Sequence, residues 1–515
     1  LNLGIALEHW ARQRPDHCAI EARCGAQTTD QLSYAQLWQA IGAAQTWLVE
    51  AGYKRGDRVA WLGWNHPGML VLLFAAARLG IALVPLNFRL TAHELTHPLT
   101  DAQPRGLWVD TALEPCASLI DLEGLGIARV HASAWWHQIR QKANQRTELP
   151  AASGGGSLED DLLIVYTSGT TGKPKGAVLT QKALWFNSLN SMHVHDLSSA
   201  DRILMALPIF HVGGLNIMLV PGLLCGASTI LMDRFEAGAF LATMAQCRPT
   251  LTVLVPAVIR ALIMHPHWPD SDWSSYRMVN AGSSIIPVEL IQAIHEKGVP
   301  LGQVYGSTET APIAICLRAE DALRKIGSTG LPAPYCEARL VHQAEVITAP
   351  SIVGEIQVRG PNVMDRYLNA PQATQQAFDQ GWYRTGDLAY RDSEGYWWVV
   401  GRSRDLIISG GENVYPAEVE SLLEQHPAIA EVAVVGLSDA RWGEVVVAAI
   451  VSKPDRPSVS LEQCEEFLRE RLARYKQPRA VFACESLPKT ALGKVQKAEL
   501  IALLEQRRVV DGSAR

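Results

Sequence analysis

The stretch YTSGTTGKPKG, Tyr166 to Gly176, lies between two short apolar runs, LLIVYT and GAVLT. Both runs have the length and β-branched content of buried strands. The stretch is therefore expected to be a loop that joins two strands. Its glycines permit tight turns whose backbone N–H groups face an anion. Thr167, Ser168, Thr170 and Thr171 add hydroxyls, and Lys173 and Lys175 add positive charge. Together these residues read as a phosphate cradle. It is not the Walker loop, GxxxxGK[ST] leading into a helix. Pro174 follows Lys173, so the magnesium-binding hydroxyl is missing, and a strand follows instead of a helix. Thr180 then caps the helix QKALWFNSLN.

A chain of 515 residues is long enough for more than one domain. The net charge of −6 comes without a basic block, which argues against nucleic acid as a partner. The 9 cysteines form no CxxC pair and fit reduced thiols in a cytoplasm. The opening segment LNLGIALEHWARQRPDH turns polar too early for a signal peptide. Met69 to Ala77 is apolar but is stopped by Arg78, far short of the ~20 residues a membrane span needs. Val212 to Met232 is uncharged but interrupted by Gly213, Gly214, Asn216, Pro221, Gly222 and Gly226, which predicts two buried elements with a break.

Helix and strand patterns alternate to about residue 330, as in sheets covered by helices. LSYAQLWQAIGAAQTWLVEAG has helical spacing, while DRVAWLG and IALVPLN read as buried strands. Beyond about residue 335 strands dominate, with a hairpin turn expected at Asp392-Ser393-Glu394-Gly395. After Gly401 a smaller α+β unit is expected. In it DLIISGG is a strand, Pro416 opens a helix, IAEVAVVGL and EVVVAAIVS are strands, and LEQCEEFLRERLARY is one helix. RAVFAC and KAELIALLEQRR supply a last strand and helix.

Five further motifs follow the glycine-rich stretch. They are LPIFHVGGL (Leu207 to Leu215), YGSTET (Tyr305 to Thr310), YRTGDL (Tyr383 to Leu388), GRSRDLIISGGENVYPAEVE (Gly401 to Glu420) and PKTALGK (Pro488 to Lys494). In kind and order the set resembles the adenylate-forming superfamily of acyl- and aryl-CoA ligases, peptide-synthetase adenylation domains and luciferases. The resemblance covers essentially the whole chain. It implies an α/β fold: a large N-terminal domain, residues 1–402, of sheets packed with helices plus a β-barrel-like part, and a smaller mobile α+β C-terminal domain, residues 403–515.

The family reaction condenses a carboxylate with ATP to acyl-AMP, then transfers the acyl group to a thiol. The resemblance implies ATP and CoA as co-substrates and Mg2+ as cofactor. By it, Thr167, Ser168, Gly169, Thr170, Thr171 and Lys175 hold the outer phosphates. Tyr305 stacks on adenine, with Gly306 beside it and Gly282 and Ser283 on the other face. Thr308 touches the α-phosphate and Glu309 binds Mg2+. Asp387 accepts the ribose hydroxyls, reinforced by Arg402, at the end of an irregular segment. Lys494 bridges the carboxylate and the α-phosphate. His211 lines the carboxylate's entrance; it has no partner at metal-ligand spacing. Arg404 stands at the hinge, where relatives commonly have Asp or Lys. Gly410 and Gly411 line the pantetheine channel, Trp442 faces the CoA adenine, and Lys476 and Arg479 meet its phosphates.

The acyl pocket is expected from Asn190, Val212, Gly213, Gly214, Gly306 and Pro312, with Ile313 behind. These residues are small or apolar. No arginine stands among them to pair a second carboxylate, and no aspartate to hold an α-amino group. An aromatic or phenylpropenoid acid fits, with a medium- or long-chain fatty acid next. An adenylation enzyme loading a separate carrier protein is the other alternative. The partners implied are a small carboxylic acid, ATP and CoA, with a homodimer left open and no nucleic acid or membrane span. A dead nucleotide-binding scaffold is disfavoured because Lys175, Glu309 and Lys494 are all present.

Overall fold

The computed structural model describes residues 2–145, 155–167, 174–282, 285–409, 412–439, 442–490 and 493–510. By backbone contacts the chain divides into two units. One holds residues 1–283, 290–338 and 357–384; the other holds 284–289, 339–356 and 385–515.

The first unit contains two sheets. In the 7-stranded sheet the order is Arg366–Tyr367, Lys175–Thr180, Asp161–Thr167, Ala82–Leu86, Arg58–Leu62, Gly106–Val109 and Ala128–His131. The four strands that follow Asp161–Thr167 in this order pair in parallel with their neighbours. The edge is antiparallel: Thr167 sits opposite Lys175, and Tyr367 opposite Ala177. The glycine-rich stretch therefore joins two strands, as its flanks predict. In the 9-stranded sheet, Arg202–Met205, Leu251–Leu254, Met278–Gly282 and Leu301–Tyr305 run parallel side by side.

Helices cover these sheets. The helix Pro67–Leu79 is buried along nearly its whole length, as befits a helix that is apolar all round. Its one charge, Arg78, lies over the Trp38 ring at 4.4 Å. Among the described residues no helix is long and apolar enough to cross a membrane. Thr180 caps the helix Gln181–Val194 by accepting the Ala183 N–H. Buried Asn65 ties the two sheets together. Its amide donates to the carbonyls of Leu207 and Met232, both at 2.9 Å, and accepts from the N–H of Ile209 at 2.9 Å. This fixes the segment that leads to His211.

Val212 to Met232 forms the two elements and break its residues predict. A short helix, Val212–Gly214, widens into a π-helical turn, Leu215–Leu219, before the helix Val220–Cys225. Pro221 supplies no N–H at the start of that last helix, which accommodates the wide turn. Gly226, at φ 88°, reverses the chain into the strand Ser228–Met232.

The second unit includes the strand-rich part. The chain pairs Leu340 with Ile347 and His342 with Glu345. The expected hairpin pairs Asp387 with Arg402 and Arg391 with Trp397, and its turn is closed by Asp392 and Gly395. The C-terminal sheet has 5 strands: Glu412–Val414, Ile407–Ser409, Gly443–Ser452, Ile429–Asp439 and Ala480–Ala483. Alternation along Ile429–Asp439 sends Val432 and Val434 to one core, beneath the helices Pro416–Leu423 and Leu461–Leu468. Ala433, Val435 and Leu437 go to the other, beneath Lys497–Val510.

One expected element is corrected. LEQCEEFLRERLARY is not a single helix; it ends at Leu468. The buried Gln477 amide donates to the carbonyls of Leu468 and Leu472, at 3.3 and 2.8 Å. These bonds close over the turn that follows the helix, a local arrangement that periodicity does not register.

A Cβ at Gly226 would meet the Trp10 ring at 2.7 Å and adopt a left-handed backbone. Gly226→Ala is expected to destabilise the first unit by about 1–3 kcal/mol, read as a lowered midpoint in thermal unfolding.

Candidate active site

The root of the glycine-rich loop is tightly held. Pro174 accepts at its carbonyl from the His97 ring at 2.9 Å. The Tyr166 hydroxyl donates to Asp101 at 2.6 Å, and Asn369 donates to the same aspartate's carbonyl at 2.9 Å. Ser168, Gly169, Thr170 and Thr171, expected phosphate contacts, lie outside the described residues, as do Ser283, Gly410 and Gly411. Their neighbours Thr167 and Lys175 are fixed opposite each other by strand register.

Gly282 and Tyr305 end adjacent parallel strands, with Gly282 paired to Val304. The carboxyl ends of parallel strands form the crevice in which α/β folds bind ligands. Gly306 follows, and its backbone runs so close to the Pro312 carbonyl that no side chain fits. A short 3-10 turn, Thr308–Thr310, then buries Thr308 and Glu309. Glu309 is 8% exposed. Its Oε1 accepts a 2.8 Å hydrogen bond from the Tyr367 hydroxyl. The ring of that tyrosine lies 5.5 Å from the Lys175 ammonium. Lys175 and Glu309, distant in sequence, are thus brought together by a residue that sequence reasoning missed. Tyr367 lies in a two-residue strand, too short to carry a periodic signal.

The donor set fits Mg2+. Among the described residues no cluster of three or more metal-binding side chains occurs. A single carboxylate near a lysine suits an ion that takes its other ligands from phosphate oxygens and water.

His211 caps the short helix Val212–Gly214, its Nδ1 accepting from the Gly213 N–H at 3.0 Å. Burial lowers its proton affinity to about 4, so the ring is neutral near pH 7 with its proton on Nε2. Gly214 is needed here: a Cβ would strike the Pro208 carbonyl, whereas one at Gly213 would meet only the His211 ring at 3.2 Å. Val212 is buried. Asn190 is buried and engaged with backbone, accepting from Tyr335 N–H at 2.8 Å and reaching the Ile313 carbonyl at 3.5 Å. It thereby holds the chain beside Pro312.

A second group missed by the sequence lies behind these residues. His195, buried, accepts at Nε2 from the Asn280 amide at 2.8 Å and donates from Nδ1 to Ser191 at 3.1 Å. Ser191 in turn donates to the Ile217 carbonyl. Burial drives the His195 ring to about 3. This neutral relay fixes the strand carrying Gly282 against the π-helical turn.

In the second unit Asp387 is not at the end of an irregular segment. It lies inside the strand Trp382–Arg391, paired with Arg402. Gly386, at φ 70°, disguises the strand in sequence. The Arg402 guanidinium meets the Asp387 carboxylate at 2.9 Å. Lys494 is presented by a tight turn in which Thr490 N–H donates to the Lys494 carbonyl at 2.7 Å and Thr490 Oγ accepts from the Lys494 N–H at 3.2 Å. Burial lowers the lysine's proton affinity to about 8. Arg402 adds to this, and Asp387 and Asp405 oppose it. Lys494, Asp387 and Arg402 therefore share one electrostatic environment. Arg404 lies in the 3-10 turn Ser403–Asp405. Lys476 is held by Glu418 at 2.7 and 2.8 Å, and Arg479 covers the Trp442 ring at 4.1 Å.

With this geometry in hand, known proteins supply the lineage. The AMP-binding enzyme family matches residues 7–368, and the AMP-binding enzyme C-terminal domain matches 418–494. This chain belongs to the AMP-binding enzyme family. It sits in the CoA-ligase branch of the adenylate-forming superfamily, as its motifs imply. It is 45% identical to indoleacetate–CoA ligase of Aromatoleum aromaticum over 93% of this chain and 94% of that one. It is 39% identical to a feruloyl-CoA synthase of Amycolatopsis, covering 91% and 93%. o-Succinylbenzoate CoA synthetase of Bacillus subtilis, solved with its acyl-adenylate intermediate, superposes with a TM-score of 0.83 at 32% identity, covering 96% and 97%. The same enzyme has also been solved with ATP and a magnesium ion.

Gly306→Ala would drive a methyl group into the Pro312 carbonyl and to 2.7 Å from Thr310 Oγ1. Overpacking of this kind costs about 1–3 kcal/mol. AMP affinity, measured by calorimetry, is expected to fall about tenfold.

Proposed function

We propose that this enzyme joins an aromatic carboxylic acid to coenzyme A in two steps. In the first, a carboxylate oxygen attacks the α-phosphorus of ATP, and pyrophosphate leaves. In the second, the CoA thiol attacks the acyl carbon; its proton is lost, the acyl C–O bond breaks, and AMP leaves with that oxygen. The relatives named above act on indoleacetate, ferulate and o-succinylbenzoate by name.

The first step sets an anion against a polyanion. Its barrier falls where fixed positive charge meets charge that develops. Lys175 and the glycine-rich loop hold the outer phosphates, and Glu309 would hold Mg2+, which would supply further positive charge against the polyanion. Tyr305 and Gly282 flank adenine, Thr308 meets the α-phosphate, and Asp387 with Arg402 holds the ribose. Lys494 bridges the entering carboxylate and the α-phosphate. The observation that carries this reading is the Lys494 turn, whose ammonium is tuned first by burial and then by Arg402, with Asp387 opposing both. His211, neutral, can order the acyl group without adding charge. Residues 403–515 form the mobile domain, turning at Arg404 to exchange Lys494 for a thiol-guiding face. There Gly410 and Gly411 line the pantetheine path, and Trp442, Lys476 and Arg479 receive the rest of CoA. To bind phosphate, Lys476 must leave Glu418.

Acid-dependent exchange of pyrophosphate into ATP is expected, with aryl acids preferred over alkyl acids in a panel scored by mass of the CoA product. Lys494→Ala should lower exchange at least ~100-fold, in line with loss of a transition-state charge contact. Thioester formation from supplied acyl-AMP should fall much less. Undiminished exchange in the variant would overturn the assignment.

The charged form of Lys494 is the active one, and its proton affinity is lowered to about 8. kcat/KM for ATP in the exchange reaction should therefore decline as pH rises through about 8, since that parameter reports free-enzyme groups. Lys494→Arg, which keeps its charge, should remove that limb.

A further inference from the structure

Glu309 and Lys175 stand on different elements, yet one side chain touches both. The Tyr367 hydroxyl donates to Glu309 Oε1 at 2.8 Å, and its ring lies 5.5 Å from the Lys175 ammonium. The backbone repeats the connection. Met364 N–H donates to the Glu309 carbonyl at 2.7 Å, while Asp365 and Leu368 N–H groups donate to Val178 and Gly176 at 3.0 and 2.8 Å. The segment from 364 to 368 is thus a strap between the Glu309 turn and the Lys175 strand. Tyr383, buried, lies beside Tyr367.

We propose that Tyr367 is a positioning residue for the metal–phosphate end of the site: it orients the Glu309 carboxylate for Mg2+ and steadies the Lys175 ammonium for the outer phosphates of ATP. The inference rests on the roles given above to Glu309 and Lys175. A glutamate side chain has three rotatable bonds, and a nearly buried carboxylate needs a partner before the cation arrives. The tyrosine provides one. With Oε1 held by the tyrosine, the carboxylate is fixed in one orientation, and Glu309 would hold the cation without first having to reorient. The ring face then offers the lysine a weak cation–π contact that leaves its N–H groups to phosphate. Outer groups that orient a metal ligand commonly change metal affinity about 10–100-fold. An uncharged tyrosine that the cation does not touch belongs at the lower end.

Calorimetry on the full chain tests this with three titrants: ATP with Mg2+, ATP with EDTA, and AMP. Tyr367→Phe keeps the ring and removes the hydroxyl. It should weaken Mg·ATP about 5–10-fold and leave metal-free ATP and AMP as in the wild type. Tyr367→Leu should also weaken metal-free ATP, by about 2–5-fold, while AMP binding, which needs neither Lys175 nor Mg2+, reports an intact fold. Glu309→Gln serves as reference and should remove most of the gain that Mg2+ gives to ATP binding. If Tyr367→Phe binds Mg·ATP like the wild type while Glu309→Gln does not, the positioning role is wrong and the Glu309 role stands. If Glu309→Gln keeps the full Mg2+ gain, the Glu309 role itself is wrong, and this inference falls with it.

Discussion

Strand register at one edge of a sheet sets the terms for this site. The Asp161–Thr167 and Lys175–Thr180 strands run antiparallel, with Thr167 opposite Lys175. The chain between them must therefore turn back at the carboxyl end of the first strand. Pro174, which lacks an N–H, stands at the end of that loop and is held by His97. Lys175, the first residue of the returning strand, is placed by pairing and not by side-chain packing. A further antiparallel strand, Arg366–Tyr367, adds to the same edge and delivers Tyr367 to Lys175 and Glu309. A parallel strand in this place would need a crossover and would carry the lysine away from the loop.

The remaining chemistry follows from charge. One carboxylate, Glu309, lies near one ammonium, Lys175, in the first unit. In the second unit the Asp387–Arg402 pair acts on Lys494. The histidines His211 and His195 are, by contrast, kept neutral by burial.

Much of this was legible in the sequence, for physical reasons. The strand–loop–strand reading of Tyr166 to Gly176 rests on local composition, which local structure obeys. So do the Thr180 cap and the hairpin at Asp392. The motifs offer candidate reacting groups because each is a short run with its chemistry inside it. What escaped depends on distant partners. Tyr367 gains its place from pairing with a strand far away in sequence. Asp387 looked irregular because Gly386 adopts a positive φ within a strand. The His195 relay joins residues from two elements, none of which stands in a motif for catalysis.

The route of one oxygen atom tests the central claim most directly. An aryl acid labelled with 18O in its carboxylate is incubated with the enzyme, ATP, Mg2+ and CoA, and the products are weighed by mass spectrometry. Attack by the carboxylate on the α-phosphorus, followed by thiolysis of the acyl C–O bond, leaves one labelled oxygen in AMP and none in pyrophosphate. Label in orthophosphate, or AMP formed without label, would contradict the account.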